Sequence, residues 1–446
     1  MDTGDTAWVL TSAALVLFMT PGLALFYGGM VRSKSVLNMM MMSFGSLALI
    51  GVLWILFGYS LAFGDDVGGG LLGNPTDFWG LKGLMSEKSL VATIPSLAFV
   101  SFQSVFAIIT VALISGAIAD RARFAPWLLF SGIWATIVYF PVAHWVFAFD
   151  DTTGAGFSGG WIANKLLAVD FAGGTAVHIN AGAAGLALAL VLGKRLGFGR
   201  EPMRPHNLPL VMIGAGILWF GWFGFNAGSA LGANTLASVA FINTIGATAA
   251  ASLGWLLVEK FRDGHPTSLG AASGVVAGLV AITPSCSSVN PVGALAIGVL
   301  AGVFCALAVG LKYKLGYDDS LDVVGVHLVG GLWGTIAVGF FAVSNAPAGV
   351  EGMLAGGGVD QLWRQAVGAF AVLAYSFILT YLLGLAIQKT IGFRIDEDDE
   401  VAGVDGTEHA ESGYDFTSTS GGGRTIAGAA PVSTPRVATT SEGANA

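Results

Sequence analysis

Eleven mostly apolar stretches run through this chain, centred near Leu17, Ile50, Ala107, Ile137, Gly182, Trp219, Ala247, Ala277, Val299, Gly334 and Leu373. About 20 such residues in helical form cross the hydrocarbon core of a bilayer, where a backbone must satisfy its own hydrogen bonds. The pattern predicts an all-α polytopic membrane protein of eleven transmembrane helices. Composition agrees, since 54% of the residues are hydrophobic and 11% are charged, about half the charged share of an ordinary soluble domain. The 65 glycines are spread through the apolar stretches, as expected where helix backbones approach closely in lipid. Between them lie polar, turn-rich connections such as DDVGGGLLGNPTD from Asp65 and EKFRDGHPT from Glu259.

Charge fixes the expected orientation. Twelve Lys or Arg fall in the connections on one side, while Lys82, Lys88, Lys165 and Arg364 fall on the other. The positive-inside rule then puts the N-terminus outside and the C-terminus in the cytoplasm. Nothing before the first span has the basic lead and small-residue cleavage pattern of a removable signal, so the stretch from about Thr6 to Val31 is expected to remain as a span. Of the net charge of -8, most belongs to the end of the chain, where ten Asp or Glu and four Lys or Arg follow from Lys389. Residues 1–393 are thus expected to form the membrane domain and 394–446 a cytoplasmic tail, largely disordered after about 416, where Gly, Ser, Thr, Ala and Pro dominate. No basic face for nucleic acid is visible. Cys286 and Cys305 both fall in or beside apolar stretches, which gives no disulfide framework.

The sequence also echoes itself. Residues 170–186 read DFAGGTAVHINAGAAGL, and residues 322–335 read DVVGVHLVGGLWGT. Each begins with an Asp and then has a His, with Gly four and seven residues beyond it: Gly182 and Gly185 after His178, Gly331 and Gly334 after His327. Those spacings put each His on one helical stripe with two glycines, where helices crowd. The two segments belong to the fifth and tenth spans, the last members of two five-span halves. An odd number of spans per half inserts the second half upside down, so the expected plan is two inverted five-helix halves plus a final helix, with the site at their interface.

An ionisable side chain within a bilayer is a functional hypothesis by default. His178 and His327 each have two readings: a hydrogen bond to a carbonyl between packed helices, or a place along a path. Facing imidazoles in an apolar lumen can accept and donate hydrogen bonds without supplying a full charge, which suits a small weak base such as ammonia. Asp170, at the start of the fifth span, reads first as a helix cap and second as a cation holder. Asp322 is expected to cap the tenth span in the same way. Phe102 and Phe106 share a helical face, and WFGWFGFNAGS places further aromatics before Ser229; rings over a vestibule attract cations. No HExxH, paired Cys motif, P-loop or dinucleotide fingerprint is present, so neither a metal nor another cofactor is expected, and neither metalloenzyme nor ATP-driven chemistry has support.

From Trp8 to about Phe416 the chain resembles the ammonium transporter (Amt/Mep/Rh) family. The matching segments are ALVLFMTPGLALFYGGMVRSKS, DFAGGTAVHINAG, GKRLGFG, PHNLP, WFGWFGFNAGSA, DVVGVHLVGGLWGT and HAESGYDF. The resemblance implies a transporter rather than an enzyme, assembled as a homotrimer in the cell membrane, with one pore per subunit and a PII-type regulatory protein binding its cytoplasmic face. It makes His178 and His327 the pore histidines, Phe106 and Phe225 the gate, and Asp170 a supporting residue. It assigns Ser229 and Phe106 to the outer ammonium-recruiting site, with Phe102 and Trp222 lining that vestibule and Thr283 near it. It implies that ammonium is recruited, deprotonated at the gate, passed inward as ammonia and reprotonated. One residue departs from the pattern: the family often has Trp after its AHxV stretch, and AHWVF here puts Phe147 there. Phe is the weaker cation site and lacks the indole N–H donor, so a looser outer site is expected. Two rivals remain, an Rh-like conduit for neutral gases, which the Phe106 and Ser229 match disfavours, and a sensor whose occupancy a partner reads.

Overall fold

The computed structural model describes residues 1–150 and 157–414. Eleven apolar helices carry the eleven centres expected from the sequence: α1 (Thr3–Met30), α2 (Val36–Phe63), α3 (Ser96–Ile118), α4 (Phe124–Phe147), α5 (Gly174–Leu192), α6 (Leu208–Gly228), α7 (Thr235–Arg262), α8 (Ser268–Ile282), α9 (Pro291–Leu315), α10 (Val324–Phe341) and α11 (Asp360–Thr390). Among the described residues, ten of these are long and apolar enough to cross a membrane. The exception is α8. Its 15 residues span about 22 Å at 1.5 Å per residue, short of the roughly 30 Å of hydrocarbon. It stops just ahead of Pro284, which lacks the N–H that would continue the ladder, and the chain turns through 283–288.

The bundle is organised around two long contacts, α1 along α6 and α7 along α8 and α9. Polar side chains tie helices where no water can. Trp134 Nε1 on α4 donates to Thr380 Oγ1 on α11 at 2.8 Å, and Asn243 Nδ2 on α7 donates to the Cys286 and Val289 carbonyls at 2.9 and 2.8 Å. Such bonds hold together in lipid because the alternative is an unpaired polar group.

At the centre, α5 and α10 cross. Both open with π-helical turns, 174–179 and 324–328, and each turn contains its histidine; such wide turns frequently mark functional positions. The crossing depends on the glycines four residues past each histidine. A Cβ on Gly182 would lie 2.5 Å from the Leu328 nitrogen, and one on Gly331 would lie 3.0 Å from His178 Cβ. Each helix thus gives up a side chain where the other's histidine segment passes.

The helix starts are capped by carboxylates placed eight residues before each histidine. Asp170 accepts from the N–H groups of Gly173, Gly174, Thr175 and Ala176 at 2.8, 2.6, 2.7 and 3.2 Å, and from the Thr175 hydroxyl. Asp319 accepts from Val323 and Val324 at 3.0 and 2.7 Å. Burial pushes the Asp319 carboxyl up to about 6, against the pull of Lys312. Asp322, expected as the cap of α10, does not cap it. Asp319 already holds the first open N–H groups, and Asp322 instead pairs with Lys312 Nζ at 2.7 Å from a left-handed backbone at φ 64°.

Residues 394–413 belong to the same compact unit, Met1–Gly413, as the helices. Two short helices follow, α12 (Glu397–Ala402) and α13 (Val404–His409), and α13 places acidic side chains on the starts of α2 and α4, which have no local side-chain cap. Asp405 accepts from the Leu37 and Asn38 N–H groups at the start of α2, at 3.0 and 2.8 Å. Glu408 accepts from Phe124 N at the start of α4, at 2.8 Å. Glu400, buried, accepts from Leu196 N and pairs with Arg394, both at 2.8 Å. Open N–H groups and the helix dipole favour negative charge at the starts of α2 and α4. The expected disorder after about 416 lies outside the described residues.

Two outcomes follow. Gly182→Val should cost about 1–3 kcal/mol by overpacking, seen as a lowered midpoint of thermal unfolding in detergent, while Gly216→Ala, with open space around it, should not lower it. Asp405→Ala should cost about 0.5–2 kcal/mol, the range for a lost cap, in the same measurement.

Candidate functional site

Three spaces follow one another through the bundle. On the face that carries the N-terminus is a cavity of about 690 Å3, lined among others by Phe99, Gln103, Phe106, Phe147 and Ser229. Its walls come from the ends of α3 and α4, the hairpin of Leu90–Val91 with Ile94–Pro95, and the turn after α6. Ser229 reaches it from the C-terminal end of α6, where its hydroxyl donates to the Phe225 carbonyl at 2.8 Å. Phe147 ends α4 and meets Phe106 edge-on, with ring centroids 6.4 Å apart at 85°. Trp145 is directed elsewhere: its Nε1 donates to the Leu71 carbonyl at 2.8 Å, and its ring packs on Trp161 and Tyr375.

Below this cavity the route narrows. Phe106 and Phe225 stack with centroids 4.1 Å apart and planes within 15°, and both are buried. Phe225 then borders a second space of about 10 Å3, shared with Trp222, His178, His327 and apolar side chains of α1 and α3. That volume suits roughly one water-sized molecule. Its lining is apolar except for the two imidazoles and the Trp222 indole. His327 also borders a third space of about 10 Å3, toward the opposite face, with Phe26, Tyr27, Ser273 and Asp322.

The two histidines touch. His178 Nδ1 and His327 Nδ1 are 3.2 Å apart, with ring planes within 23°. A bond between them needs one Nδ1–H donor and one Nδ1 lone pair, so two neutral rings must be opposite tautomers. Trp222 stacks on His178 with centroids 5.4 Å apart, and its Nε1 is held by Thr283 Oγ1 at 2.9 Å. Thr283 in turn donates to the Leu279 carbonyl at 2.7 Å. His178 Nε2 is buried without a hydrogen-bond partner among the described residues. An orphaned polar atom is costly to bury, and this one borders a space where a small hydrogen-bonding molecule fits.

Phe106, Phe147 and Ser229 therefore meet at the first cavity, and Phe225, Trp222, His178 and His327 at the second. Phe102, Trp222 and Thr283 do not line the outer cavity. Phe102 lies fully buried against Phe106 at 4.9 Å between centroids, while Thr283 supports Trp222 from behind. Asp170 lines none of the three spaces; its oxygens are taken by its own helix start. His144 is bound through Nδ1 to the Ala62 carbonyl at 3.0 Å, with Nε2 3.4 Å from Asp66, away from the path. Sequence reasoning missed Phe26, Tyr27 and Ser273, because an apolar or hydroxyl residue in a wholly apolar helix carries no signal of the face it presents.

Residues 7–414 match the sequence model of the Ammonium Transporter Family. The chain is 64% identical to an ammonium transporter of Mycobacterium tuberculosis over 94% of its own length and 92% of the relative's. It is 46% identical to an ammonium transporter of Bacillus subtilis, over 93% and 99% of the two chains. Its fold is similar to the crystal structure of Saccharomyces cerevisiae Mep2, with a TM-score of 0.81 at 35% identity over 89% and 88% of the chains. It also resembles a sensor Amt protein, with a TM-score of 0.82 at 30% identity over 91% and 98%. The chain belongs to the Ammonium Transporter Family, and it is a multi-pass membrane transporter rather than an enzyme.

Proposed function

We propose that ammonium is recruited in the cavity lined by Phe106, Phe147 and Ser229, loses its proton near the stacked Phe106 and Phe225 rings, and passes as ammonia along His178 and His327. The observation that carries this reading is the paired imidazoles, 3.2 Å apart at their Nδ1 atoms, with the unpartnered His178 Nε2 beside a space for one small molecule. Neutral imidazoles offer that molecule a donor and an acceptor but no compensating charge. A bare cation there must give up its hydration in an apolar lining, which is costly. Ammonium escapes that cost by leaving its proton behind, and potassium has no proton to leave. Asp170 supports the path by fixing the start of α5, and Trp222, Phe102 and Thr283 set the rings above it.

In this reading all eleven helices cross the cell membrane, α8 with the help of its flanking turn, and the N-terminus lies outside. The two halves are inverted repeats. Supporting this are the matched π-helical turns at the histidines and the capping carboxylates eight residues before each. Residues 1–393 form the transporting body and 394–446 the cytoplasmic tail, whose first part docks on the inner connections. The protein acts as a homotrimer, and a PII-type protein engages its cytoplasmic face. The likeness to a sensor Amt protein gives the sensor reading its one support.

Flux in proteoliposomes tests the central step. His178→Ala or His327→Ala should lower ammonium flux at least about tenfold, equivalent to about 1.4 kcal/mol in barrier, or admit potassium. A double Ala variant with normal flux and selectivity sinks the reading. At the outer cavity, Phe147→Trp adds a stronger cation face and an N–H donor, and should lower the half-saturating ammonium concentration by about two- to tenfold, from about 0.5–1 kcal/mol of added cation–π attraction. An unchanged value means position 147 does not touch the recruited cation.

A further inference from the structure

We propose that Asp150 supplies the fixed negative charge that concentrates ammonium in the outer cavity, where it is the one charged side chain among the described lining residues. The proposal rests on the transport reading above and names a recruiting residue beyond the Phe106, Phe147 and Ser229 group.

Asp150 lies three residues past Phe147, just beyond the end of α4. Among the residues described as lining the 690 Å3 cavity it is the sole ionisable carboxylate, and no Lys, Arg or His joins it there. The remaining wall is strongly aromatic, with Phe99, Phe106, Phe147, Phe149 and Phe157 among the lining rings. A cation in this space sees ring faces, which attract it weakly, and one full negative charge, which acts over a longer range.

The carboxylate is held in place. Asp150 Oδ1 accepts from Gly159 N at 2.7 Å, and the Asp150 N–H donates to Asn164 Oδ1 at 2.9 Å. Asn164 is fixed in turn by the Ala148 and Gly160 carbonyls, at 2.9 and 2.7 Å. The Gly159 and Gly160 backbone lies so close to the end of α4 that an added Cβ would come within 2.1 Å of the Ala148 oxygen or 1.9 Å of the His144 oxygen. This anchoring needs an acceptor at Oδ1 but not a charge, because an Asn oxygen accepts the same bond. Nor does a salt bridge use the charge: among the described residues Asp150 forms no ion pair. Asp65, Asp66 and Asp77, in the same region, are not among the residues lining the cavity. Asp150 is exposed at the mouth of an aromatic cavity, with a charge that no ion pair among the described residues consumes.

The physical consequence fits the departure at position 147. With Phe in place of the family's frequent Trp, the floor of the cavity loses an N–H donor and part of its cation attraction. A carboxylate at the rim raises the local cation concentration without adding a contact at the floor. It acts on capture rather than on passage, and salt screens it over a Debye length of about 8 Å at physiological ionic strength.

The test is ammonium flux into proteoliposomes holding the full chain, measured against concentration at low and high ionic strength. Asp150→Asn keeps the acceptor for Gly159 and removes the charge. At low ionic strength it should raise the half-saturating ammonium concentration about three- to tenfold with maximal flux unchanged, and the difference should shrink at about 0.5 M salt, where screening is nearly complete. Glu87→Gln removes an exposed carboxylate from the same connection as the hairpin, outside the cavity lining, and should leave the constant unchanged. The proposal is overturned if Asp150→Asn leaves half-saturation unchanged at low salt, if Glu87→Gln shifts it equally, or if Asp150→Asn lowers only the maximal flux. Parallel flux through the His178→Ala, His327→Ala double variant separates the two ideas: normal flux there removes the transport path itself, whereas histidine-dependent flux with a silent Asp150→Asn removes only this residue.

Discussion

The crossing of α5 and α10 is the contact on which the rest of the molecule depends. There the imidazole nitrogens come within 3.2 Å of each other while the backbones pass too closely to admit a Cβ on either side. Gly182 and Gly331 remove the obstruction reciprocally, each on the stripe that carries its own histidine. The π-helical turns carry the histidines at the crossing, and Asp170 and Asp319 satisfy the N–H groups that the abrupt helix starts leave open. Water cannot repair any of these groups in a bilayer, so crossing, turn and cap form one unit. The aromatic layer depends on that unit in turn, because Trp222 and Phe225 pack against His178.

Much of this was legible in the sequence, for a physical reason. A bilayer imposes a length and a polarity on each span, and those are one-dimensional properties; all eleven centres lie in helices. The histidine and glycine spacings were legible too, since helical periodicity converts four and seven residues into one face. Relations between distant segments were not. The equal eight-residue interval from Asp170 to His178 and from Asp319 to His327 was there to be counted, but Asp322 sits nearer the start of α10 and drew the cap assignment. The N–H bonds to Asp319, and the Lys312 contact and left-handed backbone of Asp322, separate the two aspartates in the fold.

The end of the chain shows the same limit more sharply. An acidic run followed by small polar residues looks like a solvated linker, because no hydrophobic period marks it. Yet Asp405 and Glu408 are the missing caps of α2 and α4, nearly 300 residues or more away along the chain. Those helices begin without a local side-chain cap, which hints that a partner exists but not where it is. The charge of the tail is thus partly a structural quantity, spent on helix N-termini rather than on solubility alone.

Selectivity in the proposed path comes from dividing two demands that oppose one another. Attracting a cation requires negative charge or ring faces in a hydrated space, and rejecting one requires a dry passage without compensation. The outer cavity and the 10 Å3 space answer these separately, with the stacked Phe106 and Phe225 rings between them. A carboxylate placed at the histidines would undo the separation, since it would stabilise potassium as readily as ammonium. Asp150 at the rim does not, because it borders the outer cavity and not the space at the imidazoles. The neutral, mutually bonded histidines can therefore stay chemically permissive to a weak base while the charge that recruits its conjugate acid stands outside the lumen.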